Sequence, residues 1–333
     1  MIQADHSGTS RASRLRRWAL RGMFLLVAAV LLYYALAGLD WRAFFTSLLT
    51  LSASWLALAL MYQLLALLAR AIRWSMLLSP HAGRCIGVAF VGEAIGDLGN
   101  TFLPARAGEA ARTVLVSRLL GTPLPFVVGT AAVERVSDAV FLALATFMLM
   151  WVIPQLPLWL SAAAGVFLLL GLAALGILFF LPAFSHLFVS LAKRLRLPHA
   201  LAHRGIEVLH GIGTGSRGLL HHPARTAFYV AMTVAVWVCD AAAILSLTRA
   251  FHDSLGFAQA ILFLAALGLS SAVPSTPGYI GIFQFIAVAV LVPFGVSRAD
   301  ALAIILVYQI TTILQELLWG GLGWLMLRQR AAD

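Results

Sequence analysis

The sequence predicts an all-α integral membrane protein, with about six full spans and two re-entrant pairs of half-helices that form a candidate inverted repeat. Hydrophobic residues make up 62% of the 333 positions and charged residues only 11%, with a mean hydropathy of +0.95. A soluble domain is about half apolar and about a quarter charged. Apolar stretches of about 20 residues, the length that crosses a bilayer, recur along the chain. Two further apolar regions are interrupted by polar residues, prolines and glycines, which favours half-helices there.

The charge pattern predicts anchoring at a membrane surface rather than nucleic-acid binding. The net charge is +10, and Lys193 is the only lysine among 23 basic residues. These residues occur in short runs between apolar stretches, as juxtamembrane anchors do. They gather at the N-terminus, in residues 183–225 and at the C-terminus. By the positive-inside rule we expect both termini to be cytoplasmic. The expected location is the inner (cytoplasmic) membrane.

The predicted elements follow one another in a single polytopic membrane domain, residues 18–327. A basic cytoplasmic N-terminus, residues 1–17, precedes it, and a short cytoplasmic tail, residues 328–333, follows. Spaced leucines predict a cytoplasmic amphipathic surface segment over residues 183–225. The candidate full spans are residues 18–38, 54–78, 123–152, 158–181, 226–250 and 300–327.

The two interrupted regions, residues 85–120 and 257–293, predict half-helices that dip into the membrane and return. The first is too polar for a simple span, and residues 100–108 are the predicted unwound tip. The second breaks at Pro274–Gly281, which holds two prolines and two glycines in eight residues. Proline removes a backbone donor and glycine permits unusual dihedral angles. A kinked full span is the alternative for this region. We expect the two pairs to enter from opposite faces, with their tips meeting near the midplane.

Many ionisable residues lie at predicted membrane depth, where each costs on the order of 3 kcal/mol unless it is paired or hydrated. Glu134 and Asp138 share a helix face with Arg135 beside them. Buried salt bridges that fix helix packing are one explanation. The number of charges favours a hydrated cavity with a cationic lining, in which arginines bind an anionic headgroup. The candidate substrate-binding residues are Arg70, Arg73, Asn100, Arg106, Glu109, Arg112, Glu134, Arg135, Asp138, Asp240, Gln284 and Glu316. The candidate gate residues at the backbone breaks are Pro104, Gly108, Pro274, Pro277, Gly278 and Gly281.

Sequence motifs for several enzyme classes are missing. The chain has no phosphate-binding P-loop, no nucleophile elbow and no HExxH metal motif. His221 and His222 are adjacent but have no carboxylate partners nearby. We therefore expect a transporter rather than an enzyme, with no metal and no cofactor.

Four runs resemble a known family and occur in that family's order. They are Arg70–Trp74, Asn100–Glu109 with Arg112, Glu134-Arg135 with Asp138, and Pro274–Gly281. They resemble the transmembrane, flippase-like domain of lysylphosphatidylglycerol synthases, over nearly the whole chain. The resemblance implies a lipid-translocating fold with two re-entrant helical pairs. It does not imply aminoacyl transfer, and because the chain stops just after Arg330 we expect a stand-alone member without the synthase domain. Members often carry Glu soon after the Pro-Gly break where this chain has Gln284, a departure that bears on any proton-coupled role there.

The function expected from these observations is translocation of a polar-headgroup lipid between leaflets through a charged cavity. A membrane enzyme acting on lipid-linked substrates and an accessory scaffold are the alternatives. The expected partners are a membrane lipid with an anionic or zwitterionic headgroup, a second copy of the chain and lipid-synthesis enzymes. Aminoacyl-phospholipids, hopanoids, glycolipids and polyprenyl-linked lipids all remain open as substrates.

Overall fold

The computed structural model describes residues 23, 26–83, 85–103, 106–149, 222–271 and 277–330, with scattered residues between 162 and 207. These residues are helical and contain no strand, as the sequence predicted. Single 3-10 turns at Pro277–Tyr279 and Val292–Phe294 flank one helix of the second interrupted region. The helices that position the site are α1 (Leu26–Leu36), α2 (Trp41–Leu49), α3 (Ala53–Ala82), α4 (Ile86–Phe102), α5 (Ala107–Leu120), α6 (Leu124–Leu149), α7 (Pro223–Ala250), α8 (Phe257–Ser271), α9 (Ile282–Leu291) and α10 (Arg298–Arg330).

Several of these helices have the length and composition of membrane spans, so the chain is a multi-pass membrane protein. Within the described residues, α3, α7 and α10 each qualify, and the bent pair α1–α2 would make a fourth. Helix α6 is 26 residues long but carries three charged residues in its middle. The predicted span at 158–181 lies mostly outside the described residues. The structure therefore neither confirms nor excludes six spans, and it leaves the inverted repeat a prediction.

The start of the chain departs from the prediction of one span at 18–38. Helix α1 ends at Leu36, and the chain turns by 84° into α2, which the sequence analysis missed. Asp40 starts α2, because its carboxylate accepts hydrogen bonds from the backbone N–H groups of Arg42 and Ala43 at 2.9 and 3.1 Å. Trp41 and Phe45, four residues apart, are exposed on one face. Helix α2 is thus an amphipathic helix that lies between the predicted spans at 18–38 and 54–78.

Helices α4 and α5 form a tight antiparallel hairpin, as predicted for residues 85–120. A Cβ added at Gly99 would lie 2.7 Å from the Cα of Gly108, and one at Gly96 would lie 2.7 Å from Cδ of Arg112. Small residues at such positions let helices approach closely in membranes. The helix breaks after Phe102 and resumes at Ala107, within the predicted tip.

Helices α8 and α9 form the second broken pair, and the break is held by α1. Gly281 caps the start of α9 with φ of +92°, and a Cβ there would overlap the carbonyl oxygen of Ala28 in α1. Only glycine permits both that backbone conformation and that approach. The break overlaps the predicted one at Pro274–Gly281, although residues 272–276 lie outside the described residues.

Each broken pair of helices packs within one of two apolar clusters. One packs α1, α7, α8, α9 and the start of α10 around buried residues such as Phe263 and Ile304. The other packs α3 to α6 around Trp74 and Val116. The predicted amphipathic segment at 183–225 lies mostly outside the described residues. Its end is corrected, because α7 already begins at Pro223, a residue type well suited to a first helical turn.

Candidate functional site

Both helix breaks open onto one cavity of about 250 Å³. Asn100 and Thr101, at the end of α4, and Arg106, just before α5, line it from the first break. Gly278 and Tyr279 line it from the second break. The tips of the two broken pairs therefore meet, as expected from the sequence. The remaining wall comes from α3, α6, α7, α8, α9 and α10.

The backbone is strained at both breaks. Arg106 and Tyr279 adopt the left-handed conformation with φ of +54° and +56°. For residues other than glycine this conformation costs roughly 1–2 kcal/mol. The only other such residue in the described part of the chain is His252, in the loop after α7. Contacts hold the strained residues, since Tyr279 stacks on Phe283 with ring centroids 4.7 Å apart. Such strain clusters at functional sites.

Two arginines of the cavity wall are only loosely paired. A guanidinium nitrogen of Arg70 lies 3.6 Å from Asp240 and another lies 3.9 Å from Asp97. Arg106 lies 3.9 Å from Glu109 and its side chain is 40% exposed. These distances exceed normal hydrogen-bond lengths. The Nε atoms of both arginines are buried and have no hydrogen-bond partner among the described residues. Both guanidinium groups therefore retain donors for an anion.

Arg73, by contrast, is buried behind the cavity wall and tightly paired. It is 0% exposed, and its nitrogens lie 2.8 Å from Glu134 and 2.5 and 2.9 Å from Asp138. It connects α3 to the middle of α6. It does not line the cavity, so its placement does not support the predicted contact with phosphate.

Arg112 has the same buried position on α5. Its guanidinium nitrogens form ion pairs with carboxylate oxygens of three acids, at 2.5 Å from Glu93, 2.8 Å from Glu109 and 3.1 Å from Glu134. The ring of Trp74 covers its guanidinium at 4.6 Å. Arg112 thus connects α4, α5 and α6 but, like Arg73, does not reach the cavity, so direct phosphate contact is not supported for it either.

Arg135 joins this buried network to the cavity. It lines the cavity and lies 3.0 Å from Glu109, 3.6 Å from Glu93 and 3.9 Å from Asp138. Asn100 donates to Glu109 at 3.4 Å. The predicted association of Glu134, Arg135 and Asp138 is present, but Glu134 and Asp138 belong to the buried network. Both explanations left open by the sequence therefore apply, with salt bridges behind the wall and a polar cavity in front of it.

The predicted cationic lining is wrong. The cavity wall carries three arginines and three carboxylates, so its charge is balanced rather than positive. The three arginines come from α3, the first break and α6, and the three acids come from α4, α7 and α10. The six residues are Arg70, Arg106, Arg135, Asp97, Asp240 and Glu316.

Gln284 lies beside the second break and does not line the cavity. Its side-chain oxygen accepts from the backbone N–H of Gly281 at 2.7 Å, and its amide donates to Gln309 at 2.7 Å. Gln309 in turn donates to the carbonyl of Gly278 at 2.7 Å. Gln284 therefore supports the break. Of the other predicted gate residues, Gly108 packs against Gly96 in the first hairpin, while Pro104 and Pro274 lie outside the described residues.

The sequence analysis missed several uncharged residues of the cavity wall. Gln63 donates to Thr311 at 3.1 Å, and Gln315 donates to the carbonyl of Leu60 at 2.8 Å. Amides inside apolar spans were the available signal for these residues. Nothing in the sequence distinguishes the aromatic wall residues from lipid-facing ones. The uncharged wall residues not predicted for the site are Gln63, Thr101, Trp237, Tyr279, Tyr308, Gln309, Thr312 and Gln315, and the acid Asp97 was also absent from the candidate residues.

Comparisons with known proteins give one family. Residues 23–320 match the family described as the lysylphosphatidylglycerol synthase TM region. The match covers most of the chain, including both breaks and every helix around the cavity. A search of curated proteins finds no match. Within the described residues, no three His, Cys, Asp or Glu side chains form a group that could hold a metal ion. The chain therefore belongs to the family of the lysylphosphatidylglycerol synthase TM region, a membrane domain linked to lipid handling.

Proposed function

We propose that this protein moves a polar-headgroup lipid between the leaflets of the membrane. The headgroup occupies the cavity, while the acyl chains stay in the surrounding lipid. One observation carries the proposal. Arg70 and Arg106, both loosely paired and both with an unfilled Nε donor, face the same cavity where the two helix breaks meet. A family linked to lipid handling supports it.

The chemistry of the wall suits a phosphate-bearing headgroup. Guanidinium groups bind phosphate through charge-assisted hydrogen bonds, which are about twice as strong as neutral ones. The neighbouring carboxylates keep the empty cavity from being strongly charged. Gln63 and Gln315 offer neutral partners for headgroup hydroxyl or amine groups. Leu264 and Phe283 provide an apolar side of the wall, which suits the glycerol and first acyl carbons.

We propose further that the protein acts as a transporter rather than an enzyme, in the inner membrane with both termini cytoplasmic. The basic residues near the ends of the chain support this orientation. A second copy of the chain and lipid-synthesis enzymes are the proposed protein partners.

Translocation is tested with purified protein in liposomes that carry a fluorescent phospholipid in both leaflets. A membrane-impermeant quencher reads the labelled lipid that reaches the outer leaflet. We expect Arg106→Gln to slow translocation by about ten- to a hundredfold, because one charge-assisted hydrogen bond contributes about 1.5–3 kcal/mol. Arg118→Gln is the matched control, since Arg118 is exposed in the last turn of the same helix.

The control should translocate lipid at the wild-type rate. Equal rates for wild type and Arg106→Gln would contradict the proposed role of the cavity. The proposed function itself would be contradicted if liposomes with wild-type protein translocated lipid no faster than protein-free liposomes, for anionic and zwitterionic phospholipids alike.

A further inference from the structure

Glu316 is a buried carboxylate on the cavity wall that no arginine holds. It lies in α10 and is 7% exposed. Its Oε2 atom is buried and has no hydrogen-bond partner among the described residues, although Thr101 is a side-chain hydrogen-bond partner of the carboxyl group. Among the described residues, no basic group lies within 4 Å of it, whereas the other six carboxylates around the cavity and behind its wall each have at least one arginine within that distance. Glu316 is therefore the carboxylate whose charge the protein leaves uncompensated.

The groups that face Glu316 make its charge less favourable. Helix α4 brings Asp97 and α7 brings Asp240, while α3 brings Arg70, and Tyr308 lies on the same helix as Glu316. Arg70 is already shared between Asp97 and Asp240. On this side of the cavity, three carboxylates therefore face one arginine. Helices α8 and α9 contribute only apolar wall residues and a glycine, namely Leu264, Leu267, Gly268 and Phe283.

The other arginines do not correct this imbalance. Arg106 and Arg135 pair with Glu109, while Arg73 and Arg112 are held in the buried network. In the whole cluster seven carboxylates face five arginines, so full ionisation would leave two negative charges uncompensated. Uncompensated charge at membrane depth is strongly unfavourable, so a carboxylate of this cluster binds a proton when the cluster loses a further positive charge.

We propose that Glu316 is a proton-binding site of the cavity, and that headgroup passage is coupled to the movement of this proton. The inference rests on the proposed function. A phosphate that engages Arg70 withdraws the nearest positive charge from the acids around Glu316, and Oε2 then takes a proton from cavity water. When the headgroup leaves, Arg70 again faces these acids, and the proton returns to water on the side of release. One proton crosses with each anionic headgroup.

This stoichiometry sets the size of the effect. A difference of one pH unit across the membrane corresponds to about 1.4 kcal/mol per proton. With one proton per headgroup, the equilibrium ratio of labelled lipid between the leaflets shifts about tenfold per pH unit. The test uses proteoliposomes with an anionic fluorescent phospholipid, an imposed pH gradient and the membrane potential held at zero.

Glu316→Gln keeps the size and the hydrogen-bonding capacity of the side chain and removes its proton site. Its leaflet ratio should stay near one at every gradient. Glu316→Asp keeps a carboxyl group and should keep the gradient-dependent shift of the leaflet ratio. This variant separates loss of the proton site from a general effect of changing residue 316. Asp300→Asn is the control, an acid in the first turn of the same helix that does not line the cavity, and it should shift like wild type.

Infrared titration of the protein in lipid gives a readout that does not depend on transport. Wild type should show the carbonyl band of a protonated carboxyl group, which disappears as pH rises, and Glu316→Gln should lack it. A wild type that translocates lipid but shows neither the band nor a gradient-dependent ratio overturns the proton proposal and leaves the proposed function standing. If wild type shows the band but translocates no lipid, the proposed function is overturned, and the proposed coupling with it.

Discussion

Replacing Arg73 with glutamine should destabilise the protein strongly, whereas the same change at Arg70 should not. Both residues lie on α3, one turn apart, and both pair with acids. Arg73 is fully buried and within 2.9 Å of two carboxylates. Arg70 is partly exposed and no closer than 3.6 Å to any. The two variants therefore separate the buried network from the cavity wall.

The magnitudes follow from burial and distance. Removing one partner of a buried ion pair costs about 3–5 kcal/mol, because an uncompensated charge stays behind. For Arg73→Gln this lowers the ratio of folded to unfolded protein by about a hundredfold to several thousandfold. A loose, partly exposed pair contributes about 1 kcal/mol or less. Arg70→Gln should therefore fold almost as stably as wild type but lose translocation.

Equilibrium unfolding in mixed detergent micelles measures both free energies. A double variant adds a stricter test. Arg73→Gln combined with Asp138→Asn should be less destabilised than the sum of the single variants, by about 0.5–3 kcal/mol, because the second change removes an acid that the first left unpaired. Equal destabilisation by Arg73→Gln and Arg70→Gln, or strict additivity in the double variant, would refute the division between network and wall.

Two further predictions concern the hairpin and a loop outside the membrane. Gly108→Ala should abolish folding, measured as the yield of monodisperse protein, because its Cβ would lie in contact with the backbone oxygen of Gly96, which cannot give way. Gly87→Ala, with nothing within 4 Å of the new atom, should be tolerated, and equal yields would contradict the packing. Partial burial and the nearby Asp300 raise the pKa of Asp253 in the loop after α7. A carboxyl whose pKa is raised on folding stabilises the protein at low pH and loses that contribution as pH rises through the folded-state pKa. Asp253→Asn should thus raise the thermal midpoint slightly at neutral pH and leave it unchanged at acidic pH, and a lower midpoint at neutral pH would count against this sign.

Long apolar runs predicted the helices of the structure most reliably. The predicted spans at 54–78, 226–250 and 300–327 each fall within α3, α7 or α10, which extend beyond them by up to four residues at an end. The extensions carry polar or charged residues, which hydropathy excludes but a helix accepts. Helix α2 escaped prediction for a related reason. Its nine residues are too few for a span, and its start depends on a local Asp40 cap rather than on apolar composition.

The sequence identified most charged residues of the site but not their division into wall and network. Arg70 and Arg73 are indistinguishable by type and differ by one turn of α3. Which one faces the cavity depends on the crossing of α3 with α4, α6 and α7, and only the three-dimensional packing shows that. Three-dimensional packing also decides the roles of two glutamines. The side-chain amide of Gln284 hydrogen-bonds the backbone of the break. Gln63 lines the cavity, although in the sequence it is a single polar residue in an apolar run.

The two sides of the cavity differ in mechanical stiffness. The first hairpin is closed glycine against glycine. Buried ion pairs tie it to α6 through Arg112 and Glu134, and Glu134 also pairs with Arg73 of α3; breaking such a pair costs about 3–5 kcal/mol. The second break is held by the Gln284–Gln309 chain of neutral hydrogen bonds, each contributing about 0.5–1.5 kcal/mol. A rearrangement that widens the cavity therefore meets the lower barrier on the second side. We therefore expect the charged hairpin to stay in place when the cavity widens, and α9 with the turn before it to move.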